Sequence, residues 1–265
     1  MNPENKPVSL LSIVTIHKGD EENLALTLKS LDFLGPLKPH SELIVVNANH
    51  SNYDFYAGSF VRHEQFVNVN SGIFHAMNFG LKECRGKYVV FLNSGDSVSS
   101  EVDPGLILNQ LIEESPWFVA KSRRRTFPKL IKGEWFFPKS YLRFYLAINS
   151  YCHQSTFVRR SILCELGGFN EENSVADWEV SFNLYQIQKP TVVNTYWAEY
   201  AGLGISDFPD LKVWSEDVSK SRIRSGNPAF GVSRIDFGLQ KFISEILWIK
   251  NFKNRKNKLK ALDLC

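Results

Sequence analysis

The run from Ser71 to Asp96, SGIFHAMNFGLKECRGKYVVFLNSGD, constrains the fold of this chain more than any other stretch. Phe74, Met77, Asn78 and Leu81 fall on one helical face, Gly86 fits a C-terminal stop, and Tyr88 to Leu92 is an apolar run bounded by turn residues. A continuous apolar strand belongs in a parallel sheet covered on both faces. The turn that follows, Asn93-Ser94-Gly95-Asp96, then lies at a strand's carboxyl end, where open α/β sheets bind ligands. A carboxylate there can hold a divalent cation against a phosphate, which points to a sugar-nucleotide site.

Other segments repeat the pattern. Leu10 to Ile16 reads as a first strand, Asp20 as an N-cap, and Leu24, Leu28 and Leu31 as one face of the next helix. Leu43 to Val46 and Gln65 to Val69 give two more strands, so alternating β and α elements argue for a parallel sheet. The first βα turn, Thr15 to Asp20, has neither G-x-G-x-x-G nor G-x-x-x-x-G-K-S/T, which disfavours a dehydrogenase or a phosphate-loop kinase. Beyond Asp96, Val102 to Glu114 reads as a helix, Trp117 to Ala120 as a strand, and Ser161 to Leu166 as a short helix stopped by Gly167. Val175, Trp178, Phe182 and Tyr185 make the stripe of a longer helix that Asp177 enters near its start.

These residues, taken in order, resemble the family 2 glycosyltransferases. Their corresponding stretch commonly runs GIYDAMNKG, a short helix, G-x-Y-I-x-F-L and then N-S-D-D or a similar acidic cluster. The resemblance runs from about Val8 to about Ser206. It takes in His153-Gln154-Ser155-Thr156-Phe157, Gly167-Gly168-Phe169-Asn170, Ala176-Asp177-Trp178-Glu179 and Gly202 to Ser206, and it is nearest to the branch that builds bacterial surface polysaccharides. It implies a GT-A-like α/β fold, an open and mostly parallel twisted sheet flanked by helices over residues 1–225. A linker and basic amphipathic helix would follow over 226–265.

The resemblance also implies roles. Asp96 would ligate Mn²⁺ or Mg²⁺ and so neutralise the leaving diphosphate, and Asp177 would be the general base of an inverting transfer. Thr15, Ile16, Asn47, Asn78, Asn93, Ser94, Asp96 and His153 would line the donor site. An aspartate at either position can also serve as a cap, and Glu179 is the fallback base. Departures from the pattern are Gly95 in the acidic cluster, His75 in place of an aspartate, and Asn47 where an aspartate usually accepts from uracil. Asp54 could supply the second acidic residue of that loop, and Arg85 is a lesser site candidate. Uracil ranks first among the bases on family frequency.

A net charge of +3 on 265 residues is too small to argue for nucleic-acid binding, but Lys250 to Lys260 carries six cations behind a stripe of Ile235, Leu239, Phe242, Ile246 and Ile249. A helix of that kind sits on an anionic membrane surface or packs on the core. Cys84, Cys152, Cys164 and Cys265 lack C-x-x-C spacing, no secretory segment opens the chain, and no apolar run reaches the roughly 18 residues of a spanning helix. The expectation is a cytoplasmic enzyme, peripheral at the inner face of the membrane, acting on a nucleotide-sugar donor and a glycan or lipid-linked acceptor. The absence of Q-x-x-R-W argues against a processive synthase. Two rivals are a non-catalytic homologue that binds a sugar nucleotide and a nucleotidyltransferase, the latter disfavoured by the meagre His17-Lys18-Gly19 turn.

Overall fold

The computed structural model describes residues 9–49, 58–67, 69, 72–124, 134–135, 151–200, 211–226 and 242. Asp54, Gly202 to Ser206, the 225/226 boundary and the basic segment Lys250 to Lys260 lie outside or at the limit of these residues.

Strands β1 (Leu11–His17), β2 (Ser41–Asn47), β3 (Arg62–Phe66) and β4 (Tyr88–Phe91) form the parallel half of one sheet in the order β3-β2-β1-β4. Alternate residues of these strands feed two cores, as strands buried on both faces require. Ile13, Leu43, Val45, Val90 and Leu92 pack with Leu24, Leu34, Ile107 and Leu111, which come from α1 (Glu21–Ser30), a 3-10 segment (Leu31–His40) and α3 (Pro104–Ile112). Val14, Ile44, Val46, Val89 and Phe91 pack with Met77 and Leu81 of α2 (Ile73–Glu83), Leu163 of α4 (Arg160–Glu165) and Val180 of α5 (Ala176–Ile187).

Past β4 the sheet changes direction. β8 (Thr156–Arg159) runs antiparallel to β4, β6 (Trp117–Arg124) runs antiparallel to β8, and β9 (Thr191–Tyr200) runs parallel to β6 with two register shifts. The two-residue strands β5 (Ser97–Val98) and β7 (Glu134–Trp135) pair with β9 and β6. The result is a mixed α/β sheet flanked by helices, with its parallel half as expected. The antiparallel entry of β8 matters most, because it brings the amino end of that strand beside the carboxyl end of β4. Helix α6 (Leu211–Arg224) packs on α5, where Trp178 and Trp214 meet edge to face at 5.3 Å and Phe182 lies with Val218.

Local chemistry explains the boundaries. Asp20 caps α1 by accepting from the Glu22 N–H at 2.9 Å, and Asp103 caps α3 by accepting from Gly105 and Leu106. Gly167, at φ +82°, ends α4 as expected. Gly86 is different: α2 stops at Glu83, and a side chain at Gly86 would put its Cβ 2.5 Å from Ser12 Oγ and 2.7 Å from Ser12 N. It is therefore a close-approach glycine against β1 and not a helix stop. Its N–H joins a buried knot in which Glu42 Oε1 accepts from Ser12 Oγ at 2.6 Å, Arg85 N at 2.5 Å and Gly86 N at 2.9 Å. Glu42 Oε2 pairs with Arg62 Nη1 at 2.9 Å. Burial alone would push this carboxyl up, but the hydrogen bonds from Ser12, Arg85, Arg62 and Gly86 outweigh it and hold it below its usual range.

Candidate active site

Residues at the carboxyl ends of β1, β2 and β4 converge, and the turn before β8 joins them. The Asn93-Ser94-Gly95-Asp96 turn is fastened to its surroundings through the backbone. Ser94 N–H donates to Ile16 O at 2.9 Å, Gly95 N–H to Asn23 O at 3.1 Å, and Thr27 Oγ1 donates to Asp96 O at 2.6 Å. Gly95 sits at φ +93°, a conformation that side-chain-bearing residues rarely adopt.

Two hydrogen-bonded chains run through the cluster. In the first, Asn49 fixes its amide against the backbone of Gly19, its Nδ2 donating to Gly19 O at 3.1 Å and its Oδ1 accepting from Gly19 N at 3.3 Å. The same Nδ2 lies 3.1 Å from His17 Nε2, which must therefore accept, so Nδ1 carries the proton and donates to Ser94 Oγ at 2.9 Å. Burial lowers the His17 pKa against the opposing pull of Glu21 and Asp20, in keeping with a ring held neutral.

The second chain comes from the 3-10 turn His153–Ser155. His153 Nδ1 donates to Asp177 Oδ2 at 3.1 Å and its Nε2 faces Asn93 Nδ2 at 3.3 Å. On the next residue, Gln154 Nε2 donates to Asp96 Oδ2 at 3.1 Å while Gln154 Oε1 accepts the Cys152 thiol proton at 2.8 Å. Burial, with the charges of Asp96 and Asp177 adding to it, pushes the Cys152 thiol up to about 12. Consecutive side chains of one turn thus hold the two carboxylates, Asp96 and Asp177. Asp177 stands in the first turn of α5, but Val175 occupies the N-cap, and the side-chain hydrogen bond that Asp177 makes is to His153.

The structure brings together Asn93, Ser94, Asp96, His153 and Asp177. Thr15 and Ile16 lie beside them on β1, the Thr15 hydroxyl buried with no hydrogen-bond partner, as is the Asn93 side-chain oxygen. Asn47 ends β2 and its Oδ1 accepts from Asn49 N–H at 2.8 Å, ordering the loop that carries Asn49. Asn78 is not brought to the cluster. Its amide takes both backbone groups of Phe169, donating to the carbonyl and accepting from the N–H at 2.8 Å each, and it also donates to Glu171. His75 pairs with Glu171 at 3.0 Å, and the Arg85 side chain is exposed. Glu179 is unsuited to a base role, since Arg224 grips both of its oxygens at 2.7 and 2.6 Å. The sequence pattern assigns no site role to His17, Asn49 or Gln154, and the one signal for Gln154 is its place after His153 in the His153 to Phe157 run.

Among the described residues, no three His, Cys, Asp or Glu side chains gather as a metal-holding group. Asp96 is the single carboxylate of its turn. That donor set fits a hard divalent ion that arrives with diphosphate oxygens and keeps some water, and does not fit an ion caged by protein alone. Also among the described residues, no helix is long and apolar enough to cross a membrane.

No protein family model matches the chain, and no curated protein sequence matches it. Solved structures do. S. aureus TarS 1-349 in complex with UDP-GlcNAc superposes with a TM-score of 0.60 at 17% identity, over 80% of this chain and 65% of that one. The same TarS segment in complex with UDP gives 0.57 at 18% identity over the same shares. Mannosyltransferase PcManGT from Pyrobaculum calidifontis, in complex with GDP-Man and Mn²⁺, gives 0.56 at 11% identity, over 100% of this chain and 82% of that one. This chain therefore spans 65% of the length of the TarS segment. At these identities the likeness is one of fold, and the fold is GT-A-like.

Proposed function

We propose that this chain, built on a GT-A-like fold, is an inverting, non-processive glycosyltransferase. It moves one sugar from a nucleotide diphosphate, with UDP first in rank, to a glycan acceptor carried on lipid during assembly of a surface polysaccharide. The observation that carries the reading is the convergence of Asp96 and Asp177 on one turn at the carboxyl end of the parallel strands, through Gln154 and His153. The fold neighbours, in complex with UDP, UDP-GlcNAc and GDP-Man, support a nucleotide-sugar donor.

Asp96 would hold Mn²⁺ or Mg²⁺, which supplies positive charge to the leaving diphosphate when bound. The ion in the mannosyltransferase complex supports this choice. Asp177 takes the proton from the acceptor hydroxyl as that oxygen attacks the anomeric carbon opposite the diphosphate. His153 keeps the Asp177 carboxylate oriented by donating from Nδ1, and Asn93 keeps the imidazole in that tautomer by facing Nε2. Asn93, Ser94, Thr15, Ile16 and Asn47 border the donor. The basic segment Lys250 to Lys260 belongs to this reading as the contact with an anionic membrane surface at the inner face of the cell membrane.

The test is a panel of UDP- and GDP-sugars with Mn²⁺, scored for release of the free nucleotide diphosphate. Release from one donor is expected, and its loss in Asp96→Ala. A chain that binds a sugar nucleotide yet releases no diphosphate, with or without glycan acceptors, is a binding homologue and not an enzyme.

A further inference from the structure

We propose that Gln154 is the positioning residue of Asp96, fixing the carboxylate in the one orientation in which it meets a metal-bound diphosphate. The inference rests on the donor-site reading above. An amide side chain can turn either end toward a neighbour, and here two independent partners agree on which end it turns. The Cys152 thiol, kept protonated by burial, donates to Oε1 at 2.8 Å, while Asp96 Oδ2 takes the Nε2 hydrogen at 3.1 Å. Gln154 thus presents hydrogen-bond donors to Asp96.

The need for such a device follows from the turn. Asp96 is the one carboxylate of the 93–96 turn, so the hold of that turn on an ion depends on how this side chain is oriented. Outer partners of this kind typically change metal affinity by roughly 10- to 100-fold when removed. The backbone of the 152–156 segment is held without Gln154, since Ser155 N–H and Thr156 Oγ1 both donate to Cys152 O, at 3.0 and 2.8 Å. Substitutions at 154 therefore act on the side chain and leave the turn standing.

Calorimetric titration of UDP and of GDP, each with Mn²⁺ and with EDTA, separates the possibilities. Wild type is expected to bind one of them more tightly with Mn²⁺, and Asp96→Ala to lose that gain. Gln154→Glu, nearly the same shape but setting a carboxylate against a carboxylate, is expected to lose roughly 10- to 100-fold of the Mn²⁺-dependent affinity. Gln154→Ala should lose a similar share, the EDTA affinity and melting temperature of both variants staying at wild type. Cys152→Ser, which keeps a donor facing Oε1, should bind as wild type does. Full Mn²⁺ gain in both Gln154 variants, with the gain lost in Asp96→Ala, overturns the positioning role and leaves the donor site intact. Equal loss with and without Mn²⁺, or a matching fall in melting temperature, makes Gln154 a structural residue and also overturns it. A wild type with no Mn²⁺ gain for either nucleotide overturns the donor reading and this proposal together.

Discussion

His153 Nδ1 lies 3.1 Å from Asp177 Oδ2, and the opposite ring nitrogen meets the amide of Asn93 at 3.3 Å. A carboxylate only accepts, so the imidazole proton sits on Nδ1, and the side chain of β4's carboxyl end is linked through one ring to the first turn of α5.

Asp177→Asn is expected to leave nucleotide affinity near wild type and to cut sugar transfer by roughly 100-fold or more, the scale of a lost general base. Glu179 does not take over, because its two oxygens are held by Arg224. Steady-state transfer rates beside calorimetric affinities check this, and a wild-type rate in the variant removes Asp177 from the role.

Glu42→Gln should destabilise the fold by about 1–3 kcal/mol, since an amide cannot accept everything that Ser12 Oγ, Arg85 N–H and Gly86 N–H give the carboxylate, while Arg62 keeps Glu64 as its partner. Because the Glu42 pKa is lowered in the folded state, its contribution is present above the unfolded carboxyl value and is lost as pH falls through the folded one. Urea unfolding of wild type and variant at neutral and acid pH should find the gap between them narrowing in acid.

His17 sets a different window. Its folded pKa is lowered from 6.5, so the unfolded chain binds the proton first and stability falls as pH drops below about 6.5 toward the folded value. Well above pH 7, where neither state holds the proton, this group adds no slope. His17→Gln is expected to flatten that part of the stability profile, and an unchanged slope would show that His17 titrates alike in both states.

Gly86→Ala should cost about 1–3 kcal/mol, the range for overpacking, because the new methyl meets, besides Ser12 Oγ, the backbone of β1 at Ser12 N and Leu11 C, which cannot swing aside. Thermal unfolding checks it, and a variant as stable as wild type would mean that the α2–β4 connection moves freely away from Ser12.

The parallel half was legible because β1, β2 and β4 carry apolar runs, Ile13-Val14, Leu43 to Val46 and Tyr88 to Phe91, that feed two cores. The rest was less so, for reasons that differ by element. β8 is four residues long and ends in arginine, and β9 alternates exposed and buried positions around Asn194 and Thr195 without an apolar run. β3 begins at Arg62, earlier than its apolar residues suggest, where that side chain reaches Glu42 on the neighbouring strand. Gly86 gives the same local signal as a helix stop, and only Ser12, distant in sequence, distinguishes the two. In the site, Asp96 and Asp177 were visible as carboxylates at a strand end and a helix start. His17, Asn49 and Gln154 were not, since an imidazole or amide acquires its role from partners that only tertiary structure supplies. Asn78 sat within a strong motif, yet its hydrogen bonds to Phe169 make it a loop fastener.

The backward-facing φ of Gly95 bears on the mutational history open to this chain. Replacing that glycine by aspartate would bring back the acidic doublet of the resembling family, but the new side chain would enter a backbone conformation that costs about 1–2 kcal/mol for an L-residue. A single codon change therefore meets a penalty in the turn before the added charge can help. Turn shape and charge have to change together, so the one-carboxylate tip is a state easier to enter than to leave.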